Sequence, residues 1–109
     1  MSQVIEGVKV LELASVLAGP LAGTALAARG AKVTKVERPP HGDVTRSWKS
    51  ATEPAERDTS AYYASANAGK HVVWCDLGSE EGRKWLEAAL AEYDVVLHNF
   101  KAADLAKFG

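Results

Sequence analysis

The sequence predicts an α/β domain in which a parallel sheet carries helices on its faces. Short segments that alternate β-branched or apolar residues with polar ones, as strands do, are separated by segments with helical spacing. This alternation of strand and helix is typical of a Rossmann-like layer with parallel strands. The 109 residues, of which 47% are hydrophobic, suffice for one compact domain over 1–109 with one core.

The first half of the chain predicts one β–α–β unit. A strand over residues 8–13 precedes a helix over 20–29, with Pro20 in its first turn, where a missing N–H costs nothing, and Gly30 as a left-handed cap. The helix is nearly all Leu, Ala and Gly, so we expect it to be buried on most sides. A second strand over 32–38 makes the unit right-handed and its strands parallel.

The second half repeats this alternation after a long loop. Residues 44–59 are polar and aperiodic, and a loop of that length is usually functional or mobile. The elements predicted after it are a helix over 60–67, a strand over 70–76, a helix from the N-cap Ser79 to about residue 92, a strand over 94–97 and a helix over 102–108. The strand at 94–97 (DVVL) has a fully apolar core after Asp94, as in a sheet covered on both faces. A complete doubly wound sheet usually has further strands, so we expect a portion of a larger fold.

Composition and charge restrict the partners and the location. A net charge of -1 argues against a nucleic acid or an anionic membrane as the main partner, since both require a basic excess. No apolar run approaches the roughly 20 residues of a membrane span, and the N-terminus lacks a secretory pattern, so the cytoplasm is the expected location. A single cysteine, Cys75, excludes an internal disulfide, and the three histidines have no metal-like spacing.

Side chains at the predicted carboxyl ends of the strands are candidates for ligand contact, because open α/β sheets bind ligands there. Arg38 ends the second strand, where a guanidinium can clamp a phosphate, and a solvated surface arginine explains it equally well. Asn99 and Phe100 follow the fourth strand. Cys75 follows a strand core and is expected to be buried and inert.

Glycines after the first strand raise an alternative, a dinucleotide site. Gly19 and Gly23 flank the start of the helix, and Glu37 lies near the end of the second strand, where an acidic residue binds a ribose hydroxyl. The full glycine pattern is absent and Pro20 occupies the turn, so close packing of helix on strand is the simpler explanation. The residues alone indicate a nucleotide-type ligand near one sheet edge.

Longer motifs, in order along nearly the whole chain, carry a more specific signal. They are GVKVLEL at 7–13, VLAGP at 16–20, GAKVTKVERP at 30–39, GDVTR at 42–46, NAGK at 67–70, and DVV at 94–96 with NF at 99–100. Together they resemble the N-terminal part of the class III (family III) CoA-transferases, the family of formyl-CoA transferase and the carnitine CoA-transferases. His71 and His98 stand where that family usually has arginine and glutamate.

The resemblance implies an enzyme that moves CoA between carboxylic acids. Its partners would be an acyl-CoA and a carboxylic acid, with the coenzyme A thioester as substrate and no tightly bound cofactor. The family's nucleophile is an aspartate that forms an acyl anhydride and then a CoA thioester, and no aspartate here matches it. We therefore expect no catalytic residue in this chain, which alone should bind CoA poorly and transfer nothing. In this family two long chains interlock as a homodimer, and the N-terminal Rossmann-like half binds the nucleotide.

Carried over position by position, the resemblance also implies a set of CoA contacts. In chain order these are Ser15, Leu17, Ala18, Arg38, Cys75, Asn99, Phe100 and Lys107. The first three belong to the turn after the first strand. Arg38 and Lys107 would supply cations to the phosphates, and the remaining three would line the nucleotide and pantetheine path.

Other functions share these motifs. An acyl-CoA racemase or dehydratase relative can use the same fold and the same N-terminal residues. A non-catalytic remnant, or a stand-alone module that binds CoA or a nucleotide, would keep the layer without the chemistry. Fold-level analogy does not separate these alternatives from a transferase.

Overall fold

The computed structural model describes residues 4–108, which form four strands and four α-helices. The strands are β1 (Lys9–Glu12), β2 (Lys32–Glu37), β3 (His71–Trp74) and β4 (Val95–Leu97). The helices are α1 (Ala18–Ala28), α2 (Ala61–Ala66), α3 (Glu80–Leu90) and α4 (Ala102–Phe108). These elements confirm the predicted α/β alternation, with ends that shift by about two residues, as helix and strand boundaries commonly do. Within the described range, no helix is long and apolar enough to cross a membrane.

The four strands form one parallel sheet in the order β3-β2-β1-β4. The chain moves from β1 outward to β2 and β3, and then returns to the other side of β1 for β4. Val10 of β1 is therefore paired with Val33 on one side and with Val95 on the other. The direction of the strand order reverses between β1 and β4, and ligands of such sheets bind outside the carboxyl ends of the strands at this point.

The core lies on both faces of the sheet. On one face Leu11 and Val36 pack with Leu86 of α3. On the other face Val10 and Val33 form a cluster against which Leu26 of α1 packs. Because successive side chains of a strand point to opposite faces, the two central strands contribute to both clusters.

The prediction that α1 is buried on most sides is wrong for the described structure. Its buried residues are Gly19, Pro20 and Gly23, and Leu21 is 45% exposed. The helix lies so close to the turn after β1 that a Cβ on Gly19 would be 2.3 Å from the Cβ of Ala14. Small residues on one side thus create the close packing that was expected of the glycines, while the apolar residues of the other sides remain outside the core.

The expected coverage of the fourth strand is also wrong in this part of the chain. Val95 and Val96 are each 42% exposed, because β4 is an edge strand of the sheet. The packed helices lie over β1 and β2 instead. An apolar run therefore identified the strand correctly but not its environment.

The long loop after β2 contains structure that the sequence did not predict. Val44–Ser47 forms a 3-10 helix, and the side chain of Asp43 caps it by accepting a hydrogen bond from the Thr45 amide. Further along, Lys49 Nζ donates to the carbonyl oxygens of Pro54 and Ala55 at 2.9 and 3.1 Å. Side-chain contacts with the backbone thus organise a segment that has no hydrophobic period.

Candidate functional site

A cavity of about 350 Å³ opens at the carboxyl ends of all four strands. Its wall comes from the turn after β1, the end of β2 with the following loop, the turn after β3 and the segment after β4. The lining residues are Leu13, Ala14, Ser15, Lys35, Val36, Glu37, Arg38, Gly42, Asp43, Val44, Cys75, Asp76, Leu77, Gly78 and Phe100. This is the position at which a sheet with this strand order binds its ligands.

Four of the eight residues implied by the resemblance line this cavity. They are Ser15, Arg38, Cys75 and Phe100. Arg38 lies at the rim with its side chain 78% exposed, and its Nε is 3.6 Å from Asp76 Oδ1. The guanidinium is thus held at the cavity and remains accessible to a ligand.

The other four residues lie outside the lining. Asn99 connects β4 to the turn after β1: its Oδ1 accepts from the Ser15 amide at 3.2 Å, and its Nδ2 donates to the Ser15 carbonyl at 2.7 Å. Leu17 and Ala18 lie at the exposed start of α1. Lys107 lies on α4 with its side chain 74% exposed and 4.0 Å from Asp104. A role of any of the eight in binding a ligand stays a prediction.

A network of buried charges includes Lys35 and Asp43 of the cavity lining and extends behind it to Glu12 and Lys70, and sequence reasoning missed it. Lys35 Nζ lies 3.2 Å from Glu12 Oε2 and 2.9 Å from Asp43 Oδ2, and it donates to the Ala14 carbonyl at 3.2 Å. Lys70 Nζ lies 2.7 Å from Glu12 Oε1. The hydrogen bonds of Lys70 go to the Pro20 carbonyl and to Asn67 Oδ1, so its contact with Glu12 is an ion pair without hydrogen-bond geometry. All four charged side chains are at most 1% exposed.

A second part of the network is centred on Glu37. Its Oε1 accepts from the Asp43 amide at 2.8 Å and from Arg46 Nε at 2.7 Å. Its Oε2 accepts from Arg46 and from the Tyr63 hydroxyl. Both oxygens are therefore engaged within the protein, which leaves Glu37 without the role in a dinucleotide site that its position suggested.

Hydrogen bonds and burial shift the pKa of several members of the network. Burial alone would raise the pKa of the Glu37 carboxyl, but the hydrogen bonds from Arg46, Tyr63 and the Asp43 amide together hold that pKa below its ordinary value. The pKa of Asp43 is likewise lowered, because donors on Thr45 and Lys35 outweigh its burial. Burial lowers the pKa of the Lys70 amine. Near neutral pH the two carboxyls are ionised acceptors, not proton donors.

One sequence signal for this network was present. Lys35 lies in a strand that also contributes to the core, and a lysine at such a position needs buried partners. The sequence did not indicate which carboxylates pair with Lys35, because Asp43 reaches it from a loop. Lys70 comes from much later in the chain.

Two candidate reactive groups of the cavity, Asp43 and Cys75, are restrained by their surroundings. Asp43, the most buried aspartate of the lining, has one oxygen on Lys35 and the other on Thr45. Burial and the neighbouring Asp76 raise the pKa of the Cys75 thiol, which therefore stays protonated and is a poor nucleophile. Within residues 4–108, no group of three His, Cys, Asp or Glu side chains is arranged to hold a metal ion.

Comparison with known proteins gives a consistent result. A family model described as CoA-transferase family III matches residues 5–109. The succinate–glutarate CoA-transferase of Agrobacterium fabrum is 44% identical over 108 residues, which cover 96% of this chain and 27% of that protein. The succinyl-CoA:mesaconate CoA-transferase of Haloarcula hispanica is 39% identical over 105 residues, covering 95% of this chain and 26% of that one.

A solved structure agrees with the sequence relatives. The crystal structure of a CaiB/BaiF family protein from Brucella suis matches with a TM-score of 0.87 and 41% identity, over 99% of this chain and 29% of that one. The chain spans about a quarter of the length of the curated relatives it matches.

Replacement of Lys35 should strongly lower the free energy of unfolding. Lys35→Met keeps the length of the side chain but leaves Asp43 and Glu12 without their shared cation, and removal of one partner of a buried pair costs about 3–5 kcal/mol. Lys84→Met is the matched control, since Lys84 is 75% exposed and only 3.7 Å from an exposed Glu80. Lys84→Met should lower the free energy of unfolding by less than about 1 kcal/mol. Urea unfolding of both variants measures the difference, and equal losses would contradict the structural role of Lys35.

Acid should destabilise the protein in part through Glu37. The pKa of Glu37 in the folded protein lies below the ordinary value of 4.5. As the pH falls from about 4.5 through the folded pKa, the unfolded chain therefore binds more protons than the folded one, and the free energy of unfolding decreases. Glu37→Gln should make the slope of unfolding free energy against pH shallower there. Tyr63→Phe, which removes one donor to Glu37, should give an intermediate slope. Denaturant unfolding at a series of pH values tests this, and an unchanged slope in Glu37→Gln would contradict it.

Proposed function

The chain belongs to CoA-transferase family III, and on that premise we propose that it forms the N-terminal, CoA-binding portion of an enzyme that transfers CoA between carboxylic acids. The observation that carries the proposal is the cavity at the carboxyl ends of the four strands, where residues from four separate segments meet. Curated relatives that are CoA-transferases by name support the same activity.

The charged end of CoA fits the rim of this cavity. The exposed Arg38 guanidinium can form two parallel hydrogen bonds with a phosphate. The helix α1 begins three residues after Ser15, which lines the same cavity, and Leu17, its N-cap residue, places no side-chain acceptor on the amides of its first turn. A helix start without such a cap favours an anion. Ser15, Leu17 and Ala18 are therefore proposed to contact the phosphates or the adjoining pantetheine.

The apolar parts of CoA fit the interior. Leu13, Val36 and Leu77 line the cavity together with the Cys75 thiol and the Phe100 ring. Sites for small molecules are mostly apolar, with a few polar groups that fix orientation. Asn99 is proposed to act from behind the lining, since both ends of its amide hold Ser15. Lys107 is the remaining proposed phosphate contact, from α4.

The nucleophilic aspartate is proposed to lie outside these 109 residues. Its carboxylate would attack the thioester carbonyl and expel the CoA thiolate, which gives an acyl anhydride. The thiolate would then attack the aspartyl carbonyl and release the first acid, leaving a CoA thioester on the enzyme. The acceptor acid completes the transfer by the reverse two steps. Asp43 is unsuited to this reaction because Lys35 and Thr45 occupy both of its oxygens.

The test of this function starts from the natural protein purified from its source cells. We propose an interlocked homodimer of long chains, so the intact mass of one chain should be several times 11.6 kDa. The purified protein should exchange CoA between succinyl-CoA and a dicarboxylic acid such as glutarate, the acids named for the relatives. A mass near 11.6 kDa, or no exchange with any carboxylic acid, would contradict the transferase and favour a binding module.

Arg38→Ala in the complete natural polypeptide should weaken CoA binding roughly tenfold, because a charge-assisted contact to phosphate is lost. Isothermal titration with CoA at low and high salt measures the affinity. The CoA affinity of the variant should depend less on salt than that of the parent. Arg29→Ala is the control: it removes the same charge from the C-terminal end of α1, at the opposite edge of the sheet. Equal affinities of the two variants would contradict the assignment of Arg38.

A further inference from the structure

The turn between β1 and α1 contains a strained residue. Val16 has a φ of 73°, and within residues 4–108 it is the one non-glycine residue with a positive φ. A β-branched side chain in this region is a true outlier that costs on the order of 1–3 kcal/mol. Such a conformation persists only where the surrounding structure imposes it.

Side chains from two other segments impose this conformation. Asn99, after β4, holds the amide and the carbonyl of Ser15. Asp43, in the loop after β2, accepts a hydrogen bond from the Val16 amide on its Oδ2 at 3.3 Å. The left-handed residue is thus fixed by its own N–H and by the residue before it.

The carboxylate of Asp43 is itself immobilised. Lys35 Nζ lies 2.9 Å from Oδ2, the same oxygen that accepts from Val16. Oδ1 accepts from the amide and the hydroxyl of Thr45 at 2.9 and 2.7 Å, and the Asp43 amide donates to Glu37. With its side chain 1% exposed, Asp43 has no room to turn away from these partners.

We propose that Asp43 is a positioning residue of the cavity: its carboxylate, fixed by Lys35 and Thr45, holds the β1–α1 turn in the shape that binds CoA. The inference rests on the proposed function for the identity of the ligand. Ser15 in the turn and Gly42 in the loop are parts of the same cavity wall. One buried carboxylate therefore joins two walls that the chain itself connects only through α1 and β2.

The test uses Asp43→Asn in the complete natural polypeptide. Asparagine keeps the size of the side chain but loses the charge shared by Lys35 and the Val16 amide. We expect CoA affinity, measured by isothermal titration, to fall about tenfold or more. We also expect faster hydrogen exchange, measured by mass spectrometry without ligand, in the peptide that contains Val16.

Val16→Gly is the matched control. Glycine removes the strain and retains the N–H that Asp43 accepts, so affinity should stay within about twofold and exchange should remain slow. Thr45→Val removes one donor to Asp43 and leaves its charge in place. Thr45→Val should lower CoA affinity and speed hydrogen exchange at the turn by less than Asp43→Asn does. It takes the place of Asp43→Asn in the test if that variant does not fold.

Two results would overturn the positioning role. One is a folded Asp43→Asn or Thr45→Val variant with parental affinity. The other is a loss of affinity while exchange at the turn stays as in the parent, since Asp43 would then act on the ligand and not on Val16. If the unsubstituted protein does not bind CoA, the proposed function fails, and the exchange comparison still decides whether Asp43 holds the turn.

Discussion

The structure of the site depends on the buried ion pairs that Lys35 makes with Glu12 and Asp43. A lysine in a covered strand needs buried acceptors, because burying an unpaired charge there costs a large amount of free energy. Its two carboxylate partners belong to β1 and to the loop after β2, so one buried amine connects these two segments. The wider network has three carboxylates and three cations, with Lys70 and Arg46 as the other cations, and carries no net charge.

The same network explains why two positions near it are glycine. A Cβ on Gly23 would lie 1.8 Å from Glu12 Oε1, and one on Gly42 would lie 2.2 Å from Glu37 Oε1. Gly42 also has a φ of 73°, which side chains rarely adopt. The GDVTR motif supplies this glycine and then Asp43, Thr45 and Arg46, all of them in the network. This motif of the resemblance therefore supplies part of the scaffold of the site.

The sequence predicted the elements of the fold better than their surroundings. Alternation located the strands, and local chemistry located helix ends such as Gly30, with a φ of 104°, and Ser79, which caps α3. The exposure of Val95 was not predictable, because it depends on which strand lies at the edge. Glu12 and Lys35 are paired across β1 and β2, so their ion pair follows only from the strand register. Predicting the cavity would have required the strand order, since four segments that are distant in the sequence meet there.

The most direct test of the central claim is a crystal structure of the complete natural polypeptide with CoA. CoA should lie in the cavity at the carboxyl ends of the strands, with its phosphates near Arg38 and its pantetheine arm against Cys75 and Phe100. Lys35 should still pair with Asp43, and Val16 should keep its positive φ. CoA bound elsewhere on the molecule, or a ligand group that displaces Lys35 from Asp43, would contradict the role of this cavity and of its buried ion pairs.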